Sequence, residues 1–91
     1  MSVKLSIPAV FQKLCAFNSE IEIEAADIAG LLENLERQFP GFKRRLFDAQ
    51  GRFNKFINLY VNGKDIRFLE KEKTRLEDGD EVSLIAAIAG G

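Results

Sequence analysis

The stretch Phe56-Ile57-Asn58-Leu59-Tyr60-Val61-Asn62-Gly63-Lys64-Asp65-Ile66-Arg67-Phe68 decides the fold of this 91-residue chain. Ile57, Leu59 and Val61 recur at every second position, the spacing of side chains on one side of a strand. Asn62-Gly63 follows, and this dipeptide strongly favours a tight two-residue hairpin turn. We therefore predict a strand over 56–61 and a returning strand over 64–68.

Upstream of this hairpin, two more segments alternate between apolar and polar residues. Val3 to Ile7 predicts a first strand, and Pro8 ends it because proline has no N–H to donate to a neighbouring strand. Glu20 to Glu24 predicts its antiparallel partner. The segment 9–19 between them predicts no regular element, and its larger apolar residues are expected to pack under the sheet edge: Phe11, Leu14 and Phe17.

A helix and a last strand complete the predicted elements. Apolar residues at helical spacing predict a helix from Ile28 to Gln38, with Asp27 as its N-cap and Pro40-Gly41 as its stop. A short second helical turn is expected around Phe42 to Phe47. The final strand is predicted over 81–85, with Val82 and Leu84 on the same face, and residues 86–91 are expected to form a mobile tail.

This order of elements predicts a single α+β domain spanning residues 1–91. One amphipathic helix covers one face of a mixed sheet of about five strands. For one helix to cover both hairpins, the first and last strands must lie together at the centre of the sheet.

Composition argues against several classes of function. A net charge of −1 gives no overall attraction to nucleic acid or to an anionic membrane, so we expect neither as a partner. The chain has no His, the usual general base and nitrogen metal ligand, and its one cysteine, Cys15, cannot form an intrachain disulfide. We expect a cytoplasmic protein, a monomer when free, with no bound metal or cofactor and no catalytic activity.

The sequence ends in Ala89-Gly90-Gly91. Glycine has no Cβ, so such an ending can be threaded through a narrow channel and presented backbone-first. The reactive group of an ending of this kind is its own carboxylate. From residue 86 to residue 91, an extended chain would reach about 20 Å.

Taken in order, three pieces resemble the MoaD/ThiS family of sulfur carriers, which have the ubiquitin-like β-grasp fold. They are the hairpin over 56–68, the turn and strand over 76–82, and the ending Ile88-Ala89-Gly90-Gly91. The resemblance covers essentially the whole chain. It implies that a ubiquitin-activating-type enzyme uses ATP and Mg²⁺ to adenylate Gly91, and that a sulfur donor then leaves a thiocarboxylate there. Ile88, Ala89 and Gly90 would thread into the partner's site.

Within this family, the length, the hairpin and the Ala-Gly-Gly ending are most similar to carriers of the CysO type, which serve cysteine synthesis. The sulfur acceptor would then be an enzyme of the cysteine synthase type. The small subunit of molybdopterin synthase, which would bind the large subunit of that enzyme, is an alternative. A carrier for the thiamin thiazole, a ubiquitin-like protein modifier and a non-covalent β-grasp adaptor also remain open.

Two surface features are further candidates for partner contacts. If Ile57, Leu59 and Val61 face the helix, then Phe56, Tyr60 and Ile85 face solvent, and exposed apolar side chains of this size often mark a docking surface. The second feature is a basic cluster: Arg37, Lys43, Arg44, Arg45, Arg52 and Lys55. We interpret this cluster as a solvated helix end, although it could also steer an acidic partner.

Overall fold

The computed structural model of the protein describes residues 1–87. Its five strands are β1 (Ser2–Ser6), β2 (Glu20–Glu24), β3 (Ile57–Val61), β4 (Lys64–Asp65) and β5 (Glu81–Ala86). Its α-helices are α1 (Ile28–Gln38) and α2 (Phe42–Leu46), and short 3₁₀ helices span Ala9–Cys15, Ile66–Phe68 and Lys71–Lys73.

The strands form one mixed sheet in the order β2-β1-β5-β3-β4. β1 and β5 run parallel, with Leu5 opposite Val82, and every other neighbouring pair is antiparallel. The prediction that the first and last strands lie together at the centre is therefore confirmed. β5 pairs with β1 over its first half, Glu81 to Ser83, and with β3 from Val82 to Ala86, so its second half is held by β3 alone.

Helix α1 covers one face of this sheet. Its first turn is capped by Asp27, whose Oδ1 accepts a hydrogen bond from the backbone N–H of Gly30 at 2.7 Å. Its buried stripe packs on the inward side chains of the strands, and together they form the core. The stripe consists of Ile28, Leu31, Leu32 and Leu35. The predicted bounds of α1 and its cap are confirmed.

The structure corrects three local predictions. β4 stops at Asp65, because the Asp65 carboxylate accepts the N–H of Arg67 at 2.9 Å and the backbone turns into a 3₁₀ helix. Phe17 does not pack under the sheet edge: Ala16 and Phe17 both have left-handed backbone conformations, and the Phe17 side chain is 77% exposed. Phe11 is buried as predicted.

The third correction concerns the end of the last strand. β5 extends through Ala86, which lies opposite Ile57, and the next residue is still hydrogen-bonded to the β3 side. The last strand therefore ends at Ala86, one residue later than predicted. Within residues 1–87, every helix falls short of the length and hydrophobicity that a bilayer span requires.

Candidate functional site

The base of the C-terminal segment is fixed to the sheet. Beyond the last strand pair, the backbone N–H of Ala87 donates to the carbonyl oxygen of Phe56 at 2.8 Å. Phe56 itself is held by the Asn54 side chain, whose Oδ1 accepts the Phe56 N–H at 2.9 Å. Ala87, the last described residue, is thus held at a defined position beside Phe56. The predicted site residues Ile88, Ala89, Gly90 and Gly91 lie outside the described residues.

The predicted docking residues surround this position. Ile85 is 43% exposed and lies opposite Asn58, while Phe56 is 51% exposed at the start of β3. Tyr60 is half-buried on the same open face of the sheet. The structure therefore places Phe56 and Ile85 together beside Ala87, with Tyr60 further along β3. We name Phe56, Tyr60 and Ile85 the apolar patch.

The structure divides the basic cluster into paired and unpaired cations. Lys43 forms a 2.7 Å ion pair with Glu33, and Arg52 forms a 3.3 Å ion pair with Asp48. Within residues 1–87, neither Arg45 nor Lys55 forms an ion pair. Each cation instead lies over an aromatic ring: the Arg45 Cζ is 5.6 Å from the centroid of Phe11, and the Lys55 Nζ is 5.2 Å from that of Phe56.

A network of backbone hydrogen bonds holds the segment that carries these cations. The Glu36 carboxylate accepts the N–H groups of Gly41 and Lys43, which sets the start of α2 against the end of α1. These bonds, with that from Lys43 the strongest, hold the pKa of Glu36 below its ordinary value. At the other end of α2, the carbonyl of Leu46 accepts the N–H of Asn54 at 2.7 Å.

Cys15 is not part of this site. Its side chain is fully buried, and its Sγ lies 3.4 Å from the carbonyl oxygen of Asn18. Burial raises the pKa of the Cys15 thiol, so little of it is in the nucleophilic thiolate form at neutral pH. In the described part of the chain, no three His, Cys, Asp or Glu residues are grouped so that they could hold a metal ion.

A five-stranded mixed sheet with parallel central strands, one covering helix and a last strand that ends beside an apolar patch defines a ubiquitin-like β-grasp protein. Residues 9–91 match the ThiS family. The chain belongs to the ThiS family, which confirms the resemblance inferred from the hairpin, the turn and the ending.

Individual relatives agree with this family assignment. The sulfur carrier protein CysO of Mycobacterium tuberculosis is 31% identical over 93 residues, covering 100% of both chains. The small archaeal modifier protein 3 of Haloferax volcanii is 33% identical over 66 residues, covering 72% of this chain and 71% of the relative.

Among solved structures, the BexX/CysO complex of Amycolatopsis orientalis contains a similar chain. The TM-score is 0.88 at 30% identity, and the match covers 98% of this chain and 99% of that one. It confirms the predicted ubiquitin-like β-grasp fold. The CysO relatives are sulfur carrier proteins, which confirms the prediction of a carrier rather than an enzyme.

Proposed function

We propose that this chain is a sulfur carrier of the CysO type, on which sulfur is carried as a thiocarboxylate at Gly91. The observation that carries the proposal is its full-length similarity to the sulfur carrier protein CysO, combined with the Ala89-Gly90-Gly91 ending. By analogy with this type of carrier, the sulfur is delivered to an enzyme of cysteine synthesis. The protein is a substrate of its partner enzymes and performs no catalysis itself.

The chemistry begins at the terminal carboxylate. α-Carboxyl groups are ionised at neutral pH, so a carboxylate oxygen of Gly91 can attack the α-phosphorus of ATP while pyrophosphate leaves. A ubiquitin-activating-type enzyme supplies ATP and Mg²⁺ for this step. Sulfide then attacks the acyl carbon of the adenylate, the bond to AMP breaks, AMP leaves, and a thiocarboxylate remains.

The geometry of the last strand supports this use of the terminus. Ala86 and Ala87 are held against β3 and Phe56, and four residues, 88–91, follow Ala87 in the sequence. Four extended residues reach about 13 Å, less than the distance expected from the sequence alone. A partner must therefore approach the body of the carrier closely, and the apolar patch lies where this approach occurs.

The test is intact mass spectrometry of the full chain after incubation with its adenylating enzyme, ATP, Mg²⁺ and sulfide. The wild-type protein should gain the mass difference between one sulfur and one oxygen. A variant lacking Gly90 and Gly91 should gain no mass, because it has lost the reactive carboxylate of Gly91. The deletion leaves every residue of the described core in place. Gain of the same mass by this variant would refute the proposal.

A Cys15→Ala variant serves as the matched control. A persulfide on Cys15 would add a whole sulfur atom, whereas a thiocarboxylate exchanges oxygen for sulfur, so the two products differ in mass. Cys15→Ala should be modified as fully as the wild type. A gain of a whole sulfur atom by the wild type that is absent from this variant would instead place the sulfur on the cysteine and not at Gly91.

A second function, covalent attachment to other proteins, is favoured by the similarity to a small archaeal modifier protein. It requires the same Gly91 adenylate, which is attacked by a lysine amine instead of a sulfur nucleophile, so that an isopeptide forms and AMP leaves. Immunoblots of cells expressing a tagged chain should then contain a ladder of conjugates that resists thiol reduction. A single unconjugated band under activating conditions would exclude this second function.

A further inference from the structure

We propose that Arg45 and Lys55 form a basic collar at the base of the C-terminal segment, and that this collar docks an acidic surface around the entrance to the activating enzyme's adenylation site. The inference rests on the proposed function and adds the chemistry of the partner's surface to it. It differs from the apolar patch, which supplies contact area, because the collar would act mainly on the rate and orientation of the encounter.

Backbone hydrogen bonds connect the segments that carry both cations to Ala87, the last described residue. Leu46 and Asn54 are joined by a 2.7 Å hydrogen bond, and Arg45 and Lys55 are their immediate neighbours in sequence. Lys55 is followed by Phe56, whose carbonyl binds Ala87. The two cations therefore belong to one structural unit, which includes the anchor of the last described residue.

Both cations are exposed and held in position without being neutralised. The aromatic rings of Phe11 and Phe56 restrict the two side chains through cation–π contacts, which leave the positive charge available to a partner. Two more cations are exposed: Arg44 directly precedes Arg45, and Lys13 lies on the same 3₁₀ helix as Phe11. By contrast, the charges of Lys43 and Arg52 are compensated by Glu33 and Asp48.

The opposite end of the sheet carries a group of carboxylates. β1 and β5 run parallel, so their first residues share one end, where the turn before β5 brings together exposed carboxylates of Asp78 and Glu81 with that of Asp80. Glu20 lies at the same end of the sheet as the collar, but it is on β2, and β1 lies between β2 and β5. Lys4, opposite Glu81 in the register, and Lys64 lie at this end too and offset part of its negative charge, so the molecule has a modest charge dipole although its net charge is only −1.

This dipole selects the kind of partner. An acidic protein surface attracts the collar and repels the far end, so the carrier would meet such a surface with its C-terminal segment in front. An approach in this orientation matters because four residues, even fully extended, would span only about 13 Å beyond Ala87. Orientation during the encounter would therefore raise the fraction of productive collisions.

The experiment compares two double charge reversals in steady-state adenylation of the full chain. Arg45→Glu with Lys55→Glu removes the collar, while Lys64→Glu with Lys73→Glu makes the same change in net charge away from it. At low ionic strength, kcat/KM for the carrier should fall about tenfold in the collar variant and little in the control, with kcat unchanged. The difference should shrink as salt is added, because exposed charges are screened.

Each of the other outcomes would overturn the proposed collar. If the wild type is not adenylated, the proposed function fails and the collar with it. If the wild type reacts and both reversals match it, or both are slowed equally, the collar is wrong and the function stands. A raised KM for ATP, with the KM for the carrier unchanged, would mean that the cations contact the nucleotide, and would also overturn the proposal. Thermal denaturation confirms that both variants are folded.

Discussion

The two sides of strand β5 differ in what they contact. Val82 and Leu84 point toward α1 and are buried, whereas Ser83 is half-buried and Ile85 is exposed on the open face of the sheet. Successive side chains of a strand point to opposite faces, so a single central strand contributes to both surfaces. The covered side of β5 stabilises the fold, and the open side is available for a partner.

This difference means that stability and partner recognition can be changed separately in one strand. Leu84 and Ile85 are neighbours in sequence and isomers in side-chain composition, yet they lie on opposite sides. Substitutions at these two positions therefore test the division directly.

The largest effect is expected for Leu84→Ala. Leu84 is buried opposite Leu59 at the centre of the core, and truncation of a buried leucine typically costs about 2 to 5 kcal/mol, from lost apolar contact and the cavity that remains. Since small domains unfold with a free energy of about 5 to 15 kcal/mol, this variant should be markedly less stable. Urea denaturation followed by circular dichroism measures the difference.

Ile85→Ala is the matched control for this prediction. It removes an isomeric side chain from the open side of the same strand, and we expect its free energy of unfolding to fall by about 1 kcal/mol or less. Equal losses at the two positions would contradict the assignment of the two sides.

The open side should matter for recognition instead. Phe56→Ala and Ile85→Ala should each weaken binding to the activating enzyme about tenfold, because exposed apolar residues at the centre of an interface contribute most of its affinity. Phe68→Ala is the comparison: Phe68 is also exposed, but it lies on the 3₁₀ helix after β4 and outside the apolar patch. Isothermal titration calorimetry with each variant distinguishes the patch from exposed aromatic residues in general. A Phe68→Ala variant that weakens binding as much as Phe56→Ala would argue against the patch.

The covered side of the sheet could be predicted from the sequence because the spacing of the apolar residues shows which side chains face inward. Alternation placed Ile57, Leu59 and Leu84 inward, and helical spacing placed α1 over them. The ends of elements were harder to predict, because they depend on contacts between distant residues. The extension of β5 depends on the bond between Ala87 and Phe56, and no local pattern around residue 86 encodes that bond.

β4 is a second example, and it depends on one side chain. The alternation from Lys64 to Phe68 predicted a longer strand, but the Asp65 side chain competes with strand pairing by accepting the Arg67 N–H. By register Asp65 lies opposite Tyr60, yet Asp65 is buried while Tyr60 remains half-exposed. The end of β4 is therefore set by a polar contact and not by hydrophobic spacing.

The smallest expected effect tests the contact that ends β4, through the pH dependence of the free energy of unfolding. The Arg67 side chain, with its Nη2 at 2.7 Å from Oδ2, and then the Arg67 N–H hold the pKa of Asp65 below its ordinary value. A carboxyl with a lowered pKa in the folded state contributes stability that is fully present above its unfolded pKa of about 3.9 and is lost as the pH falls through the folded value.

In Asp65→Asn this contribution is absent at every pH. The difference in free energy of unfolding between wild type and variant should therefore be largest near pH 6 and should shrink toward about pH 3. Glu36 and Asp48 also have lowered pKa values, but their contributions are common to both proteins and cancel in the difference. A difference that stays constant over this range would mean that the charge of Asp65 is irrelevant and that its side-chain shape alone ends β4.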